Sequence, residues 1–408
     1  MRQNKEKLSN QAVQSYKIKS QLIRKLRTRF ATYGYEQVHT PAFEDYDTYA
    51  SIQKTVNKDE MIKVIDRSGK VLVLRPDGTI PITRLTALDR EINGSEQRLF
   101  YIFNVYGEQN SNGTNKESTQ AGVELFGNKR PEADAEVIAL AVHTLKEIGF
   151  DNFKLEVGHA GFFKELVDQA NLAENELQQL QELIQSKNLA EMEPFLKQLQ
   201  IRDELQEALY AIPLLYGNPQ AVLEETKAII KNERMQEVLN NLKDVIEVLT
   251  DYDLLEHLTL NLGLINNMHY YTGVIFQGFV ENIGKPVLMG GRYDQLAEQF
   301  GKAMPAIGFA YKVDVVLEAL KQHQLIKDDN NPPLQIYYVP EERRNAFSAA
   351  KLLREQGYAV ITKPFAKNAQ QAGILFQSNG RVIVNGNEQQ VETNEELLNL
   401  AELATGGV

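Results

Sequence analysis

Three short stretches carry the side chains from which chemistry could be built. They are RPDGT at 75–79, YYTG at 270–273, and GGRYD at 290–294 running on to PAIGFA at 305–310. Carboxylates, hydroxyls and guanidinium groups of this kind suit recognition of a polar ligand by hydrogen bonds and charge. Other chemistries lack their parts. Without cysteine there is no thiolate nucleophile, disulfide or cysteine-ligated metal. The six histidines show no HExxH spacing, so no metal is expected, and no P-loop or GxSxG elbow occurs. Taken alone, GGRYDQLAEQFG demands no function: it could be a hairpin feeding a helix, with Arg292 and Asp294 as a surface pair. The order and spacing of the three stretches on one chain carry more weight than any one of them.

The elements around them follow from periodicity. Val13, Tyr16, Ile18, Leu22, Ile23, Leu26 and Phe30 recur at helical spacing and predict a helix over 11–35 that Gly34 stops. YEQVHTPAFED alternates as a strand, with Pro41 near its end or on an edge. Residues 62–65, 71–74, 99–103 and 122–127 read as further strands. A helix entered at Pro131 and closed by Gly149 follows, then a strand at 153–157. From about 160 to 250 the pattern is almost purely helical, with leucine and isoleucine stripes that mark core faces. Strands return at 257–263 and 270–280, and a helix is expected over Pro305–Leu320. The fold class is α+β: an antiparallel sheet flanked by helices, with a helical insertion. IKDDNNPP (326–333) reads as a linker between a core at 1–325 and a small α/β domain at 334–408 of β-α-β-α-β order.

Length and composition suit this division. The 408 residues allow two or three domains, and 43% apolar with 24% charged residues is ordinary for a globular protein. No apolar run approaches the roughly 18–20 residues of a membrane span. The polar N-terminus lacks the apolar core of a signal peptide, so a cytoplasmic location is expected. The net charge of −11 gives no overall attraction for nucleic acid, although it leaves room for a local basic patch.

In this order, RPDGT, the hairpin strands, the helical insertion, YYTG, GGRYD and PAIGFA resemble the active-site core of histidyl-tRNA synthetases over about residues 10–320. They also resemble a non-aminoacylating branch of that superfamily, the regulatory subunits of ATP phosphoribosyltransferase. The α/β unit beyond the linker resembles an anticodon-binding domain more loosely. The resemblance implies the class II synthetase fold and three arginines that offset the charge of adenylation. At those places this chain has Gly107, Asn266 and Val315. Each such preorganised donor is worth about 3–4 kcal/mol of transition-state stabilisation. Lys312, three positions before Val315 on the expected helix, should present a different face. The loop 107–118 carries Lys116 as its one cation.

The amino-acid half of the site is better kept. The resemblance implies a histidine pocket made of Asp77, Thr79, Gln120, Glu124, Tyr270 and Tyr271. In it Asp77 and Gln120 suit an α-ammonium, while Glu124 and a tyrosine hydroxyl suit imidazole N–H groups. RPDGTIPITR and the YYTG continuation favour the regulatory branch, where synthetases have RPEGTA. That branch implies no catalytic residue, no cofactor and no tRNA. It implies a partner, the short-form ATP phosphoribosyltransferase catalytic subunit, joined in a hetero-octamer through regulatory dimers, with histidine as effector. A functional synthetase is the rival reading, and a synthetase-like sensor a third. Against both, residues 334–408 hold seven Arg/Lys and eight Asp/Glu, not a basic RNA-binding unit.

Overall fold

The structure, a computed structural model, describes residues 2–52, 58–89, 95–107, 116–265, 270–326, 333–366, 373–379, 381–385, 387–389 and 394–405. It divides into two units, Met1–Ile326 and Lys327–Val408.

In the first unit the chain runs α1 (Arg2–Thr32), β1 (Glu36–Gln37), β2 (Phe43–Asp45), α2 (Tyr46–Ser51), β3 (Lys63–Ile65), β4 (Val71–Leu74) and α3 (Thr79–Leu88). It continues as β5 (Gln97–Tyr106), β6 (Glu117–Phe126), α4 (Pro131–Ile148) and β7 (Phe153–His159). The helical insertion follows: α5 (Ala160–Ala170), α6 (Glu174–Gln185), α7 (Leu189–Gln198), α8 (Asp203–Ala211), the short β8 (Tyr216–Gly217), α9 (Pro219–Thr226) and α10 (Glu233–Asp251). The unit ends with β9 (Leu258–Asn261), β10 (Val274–Val280), β11 (Leu288–Arg292), β12 (Ala306–Lys312) and α11 (Val313–Gln322).

Nine strands form the central sheet in the order β1-β5-β6-β12-β11-β10-β7-β9-β8. All neighbours are antiparallel except β1 with β5 and β7 with β9. Strands distant in sequence thus become neighbours, β6 beside β12 above all. A smaller sheet, β2-β4-β3, stands apart. No helix among the described residues is long and apolar enough to cross a membrane.

One face of the large sheet is closed by α1 and α4. Leu22, Leu26 and Phe30 of α1 are buried, and the Phe30 ring meets Phe100 and Phe309 edge-on. Val13 and Tyr16, read from the same stripe, are exposed. Helix α4 starts on Pro131, whose fixed φ suits a first turn, and stops on Gly149 at φ 114°, a conformation only glycine adopts cheaply. Between them lies an alanine- and valine-rich run, buried nearly throughout because small side chains let the helix lie close to the sheet.

Three expectations need correction. Glu36–Asp45 is not one strand: Pro41 separates β1 from β2, and these join different sheets. The helix expected over Pro305–Leu320 begins only at Val313. Residues 306–312 form a strand paired on both sides, with Ile307, Phe309 and Tyr311 buried in the core. Periodicity cannot separate a short apolar strand from a buried helix, and here the alternation of period two prevails.

The second unit comprises β13 (Leu334–Tyr338), α12 (Arg343–Glu355), β14 (Val360–Pro364), β15 (Ile374–Gln377), β16 (Arg381–Val384), β17 (Asn387–Gln389) and α13 (Asn394–Thr405). Its sheet order is β14-β13-β15-β16-β17. The third correction falls here: where a short helix is expected before 381, residues 374–377 form the strand β15, and 367–372 lie outside the described residues. The apolar residues of β15 pair parallel to β13 and bury Ile374 and Phe376.

Candidate functional site

The site is built on the face of the sheet opposite α1. Register sets Glu124 of β6 opposite Gly308 of β12, Gly122 opposite Ala310, and Gln120 opposite Lys312. Period two puts Gln120, Gly122 and Glu124 on one face, and Gly308, Ala310 and Lys312 beside them. These rows form the floor of a cavity of about 230 Å³. Its walls come from RPDGT at the start of α3, from Tyr270 and Tyr271 before β10, and from GGRYD at the end of β11. All six residues anticipated for a histidine pocket (Asp77, Thr79, Gln120, Glu124, Tyr270 and Tyr271) line this one cavity.

Two glycines make room for it. A Cβ at Gly308 would lie 1.9 Å from Oε2 of Glu124, so only glycine lets that carboxylate lie flat on the floor. A Cβ at Gly122 would lie 2.5 Å from the Tyr101 ring, which stands across β5 and forms part of the wall.

Glu124 is completely buried and doubly held. Thr79 Oγ1 donates to its Oε1 at 2.8 Å, and the Tyr293 hydroxyl donates to Oε2. Burial pushes its pKa up to about 8, against the downward pull of those two donors. Asp77 accepts from the Ile80 backbone N–H at 2.8 Å, in the first turn of α3. Its other oxygen, Oδ2, is buried with no hydrogen-bond partner among the described residues. Burial raises the Asp77 pKa to about 6. A buried acceptor without a donor costs about 1–3 kcal/mol, which a donor on a ligand would recover. Tyr270 stacks on Tyr293 at 5.3 Å and meets Tyr271 edge-on at 4.8 Å, giving an apolar wall with hydroxyl tips.

The motif arginines serve the frame. Arg75 of RPDGT is buried, donates to the Thr40 and Pro41 carbonyls at 2.6 and 3.0 Å and to the Asn104 carbonyl at 2.8 Å, and lies 3.5 Å above the Phe103 ring. Arg292 and Asp294 are not a surface pair. Arg292 is only 6% exposed and binds Asp134 of α4 at 2.6 Å and Asp294 at 3.0 Å. Asp294 in turn accepts from the Ala306 N–H at 3.0 Å, while its own N–H donates to Thr272 Oγ1 at 2.9 Å. GGRYD therefore ties α4, the YYTG segment and β12 to one another.

The three arginine positions fall as follows. Gly107 follows β5, where its N–H donates to the Lys116 carbonyl at 3.0 Å. Val315 is buried in the main core on α11 and does not reach the cavity. Asn266 lies outside the described residues, as does 108–115 of the loop between β5 and β6.

Of the eight further residues that line the cavity, three carry polar side chains that sequence reasoning did not assign to it. Tyr293, inside a motif already singled out, is a donor to Glu124. Tyr101 forms wall, with no signal beyond alternation in β5. Lys312, assigned to another face of a helix, ends a strand and is the one cation lining the cavity among the described residues. Reading 306–312 as a strand would have put it beside Gln120.

Comparisons with known proteins agree with this geometry. A family model described as Histidyl-tRNA synthetase matches residues 11–316. An ATP phosphoribosyltransferase regulatory subunit from Oceanobacillus iheyensis is 43% identical over 382 residues, covering 92% of this chain and 91% of that protein. The crystal structure of an ATP phosphoribosyltransferase regulatory subunit/histidyl-tRNA synthetase from Bacillus halodurans matches with a TM-score of 0.77 at 32% identity, over 86% of this chain and 90% of that one. A histidyl-tRNA synthetase from a Nostoc species reaches the same TM-score at 17% identity over 96% of both chains, a likeness of fold alone. A synthetase-type core matched at this identity over nearly the whole length places the chain in the family of ATP phosphoribosyltransferase regulatory subunits.

Proposed function

We propose that this chain is the non-catalytic regulatory subunit of ATP phosphoribosyltransferase. It works with a short-form catalytic subunit at the first step of histidine biosynthesis, and histidine held in the cavity is its inhibitory effector. The observation that carries the ligand reading is the convergence of buried Glu124 and of Asp77, whose buried Oδ2 has no partner among the described residues, in a cavity of about 230 Å³. That size falls below the roughly 300–1,000 Å³ of pockets that take drug-sized ligands. A buried polar pocket of this kind rejects ligands lacking the matching donors, because its own groups would be left unpaired.

Adenylation has little support. Glycine at 107 brings no charge, and Val315 is spent on the core. Dimerisation within a hetero-octamer draws support from exposed apolar side chains, among them Tyr16 of α1, Phe43 of β2 and Ile65 of β3. The second unit, in this reading, descends from an anticodon-binding domain and no longer engages tRNA, as its seven Arg/Lys against eight Asp/Glu suggest. Its place of work is the cytoplasm.

Feedback then requires histidine to bind two arrangements of the complex with different affinity. The test has two arms. Mixing the chain with a short-form catalytic subunit should restore phosphoribosyl transfer, and histidine should then inhibit it. Assayed alone with histidine and ATP, the chain should give no pyrophosphate exchange. Exchange without restored transfer would overturn the proposal in favour of a working synthetase.

A further inference from the structure

Lys312 brings a positive charge into this cavity and forms no ion pair with an acid among the described residues. It ends β12 opposite Gln120 and lines the cavity there. Its side chain is partly buried, and it makes no hydrogen bond or ion pair with a described residue. Burial and the nearby Lys285 ammonium hold its pKa below the usual lysine value. Lys285 itself is paired with Glu318 at 2.8 Å, so that acid is already engaged. A half-buried, unpaired ammonium is costly, and an anion that reaches it recovers the cost.

Glu124 lies away from Lys312 along the cavity floor. It stands opposite Gly308, four residues back along β12 from Lys312. At a rise of about 3.3 Å per residue these two backbone positions are roughly 13 Å apart along the strand, a floor long enough for one amino acid bearing a compact polar side chain.

Resting on the histidine-pocket reading above, we propose that Lys312 is the carboxylate anchor of the cavity. The ligand is a zwitterionic α-amino acid lying along β6 and β12. Its carboxylate meets Lys312 beside Gln120, its ammonium meets Oδ2 of Asp77, and its side-chain donor meets Glu124. Selectivity for the free acid over its alcohol or amine analogues therefore resides in Lys312.

Calorimetric titration of the full chain with L-histidine and with L-histidinol, whose carboxylate is replaced by an alcohol, tests this. Wild type should bind histidine 10- to 100-fold more tightly than histidinol. Lys312→Met should lower histidine affinity by 10- to 100-fold and leave histidinol unchanged, which also shows that the variant folds. Lys312→Arg should keep most of the preference. Unchanged histidine affinity in Lys312→Met would overturn the anchor while leaving the pocket standing. An equal loss for both ligands would overturn it too, as a merely structural effect. If wild type binds neither, the pocket reading falls, and the anchor falls with it.

Discussion

At the scale of single residues, the site is a set of polar groups held ready in a dry place. Glu124 spends both oxygens on Thr79 and Tyr293 yet is burdened by burial, and Asp77 has an oxygen with nothing to accept from among the described residues. Glu124→Gln should therefore weaken histidine binding by about 5- to 150-fold, the cost of leaving a buried polar group unsatisfied at about 1–3 kcal/mol. Tyr270→Phe should cost less, and titration calorimetry reads both. The acids also set a pH dependence. The Glu124 pKa rises from 4.5 to about 8 on folding and that of Asp77 from 3.8 to about 6, so the folded chain holds protons that the unfolded chain releases. Their contribution to stability is greatest below the unfolded values. It is lost as pH climbs through the folded ones, by an amount on the order of a few kcal/mol for Glu124. Chemical denaturation of wild type and Glu124→Gln should show the variant gaining on wild type from pH 4.5 to about 8, then running parallel. A constant difference across that range would sink the assignment. The types of these side chains were legible in the motifs. Their burial was not, because it depends on Tyr101, Tyr270 and Tyr293 arriving from three separate segments.

Among elements, the β6–β12 pair decides the site. Its register fixes which side chains share the floor, and Gly308 is the point where the two strands leave no spare volume. Gly308→Ala should destabilise the chain by about 1–3 kcal/mol or more through overpacking against Glu124 and the Val123 carbonyl. Gly284→Ala, where a Cβ meets nothing within 4 Å, should stay within about 0.5 kcal/mol. Thermal melts compare the two, and equal shifts would mean that the floor is not tight. Helix α4 was legible from Pro131 and Gly149, since its boundary signals are local. The strand at 306–312 was not. Its residues could have lain on either kind of element, and pairing with β6, nearly two hundred positions earlier, settles the matter.

On the scale of the whole molecule, the chain keeps a synthetase frame while the positions expected to carry nucleotide-activating charge are neutral. If it serves as a scaffold for a catalytic partner, its mass in solution should depend on that partner. Light scattering should find a dimer alone and a hetero-octamer on mixing with the short-form catalytic subunit. A monomer that ignores the catalytic subunit would contradict the reading. The order of RPDGT, YYTG and GGRYD was enough to name the superfamily and six residues of the cavity, because each motif is contiguous and its residue types serve one local task. Folding alone disclosed that Arg292 is a buried clamp, that Tyr293 holds Glu124, and that Lys312 lines the same cavity. Which side chains share a face, and which charges lose their water, depend on contacts between segments far apart in the chain. No local pattern of residues encodes those contacts.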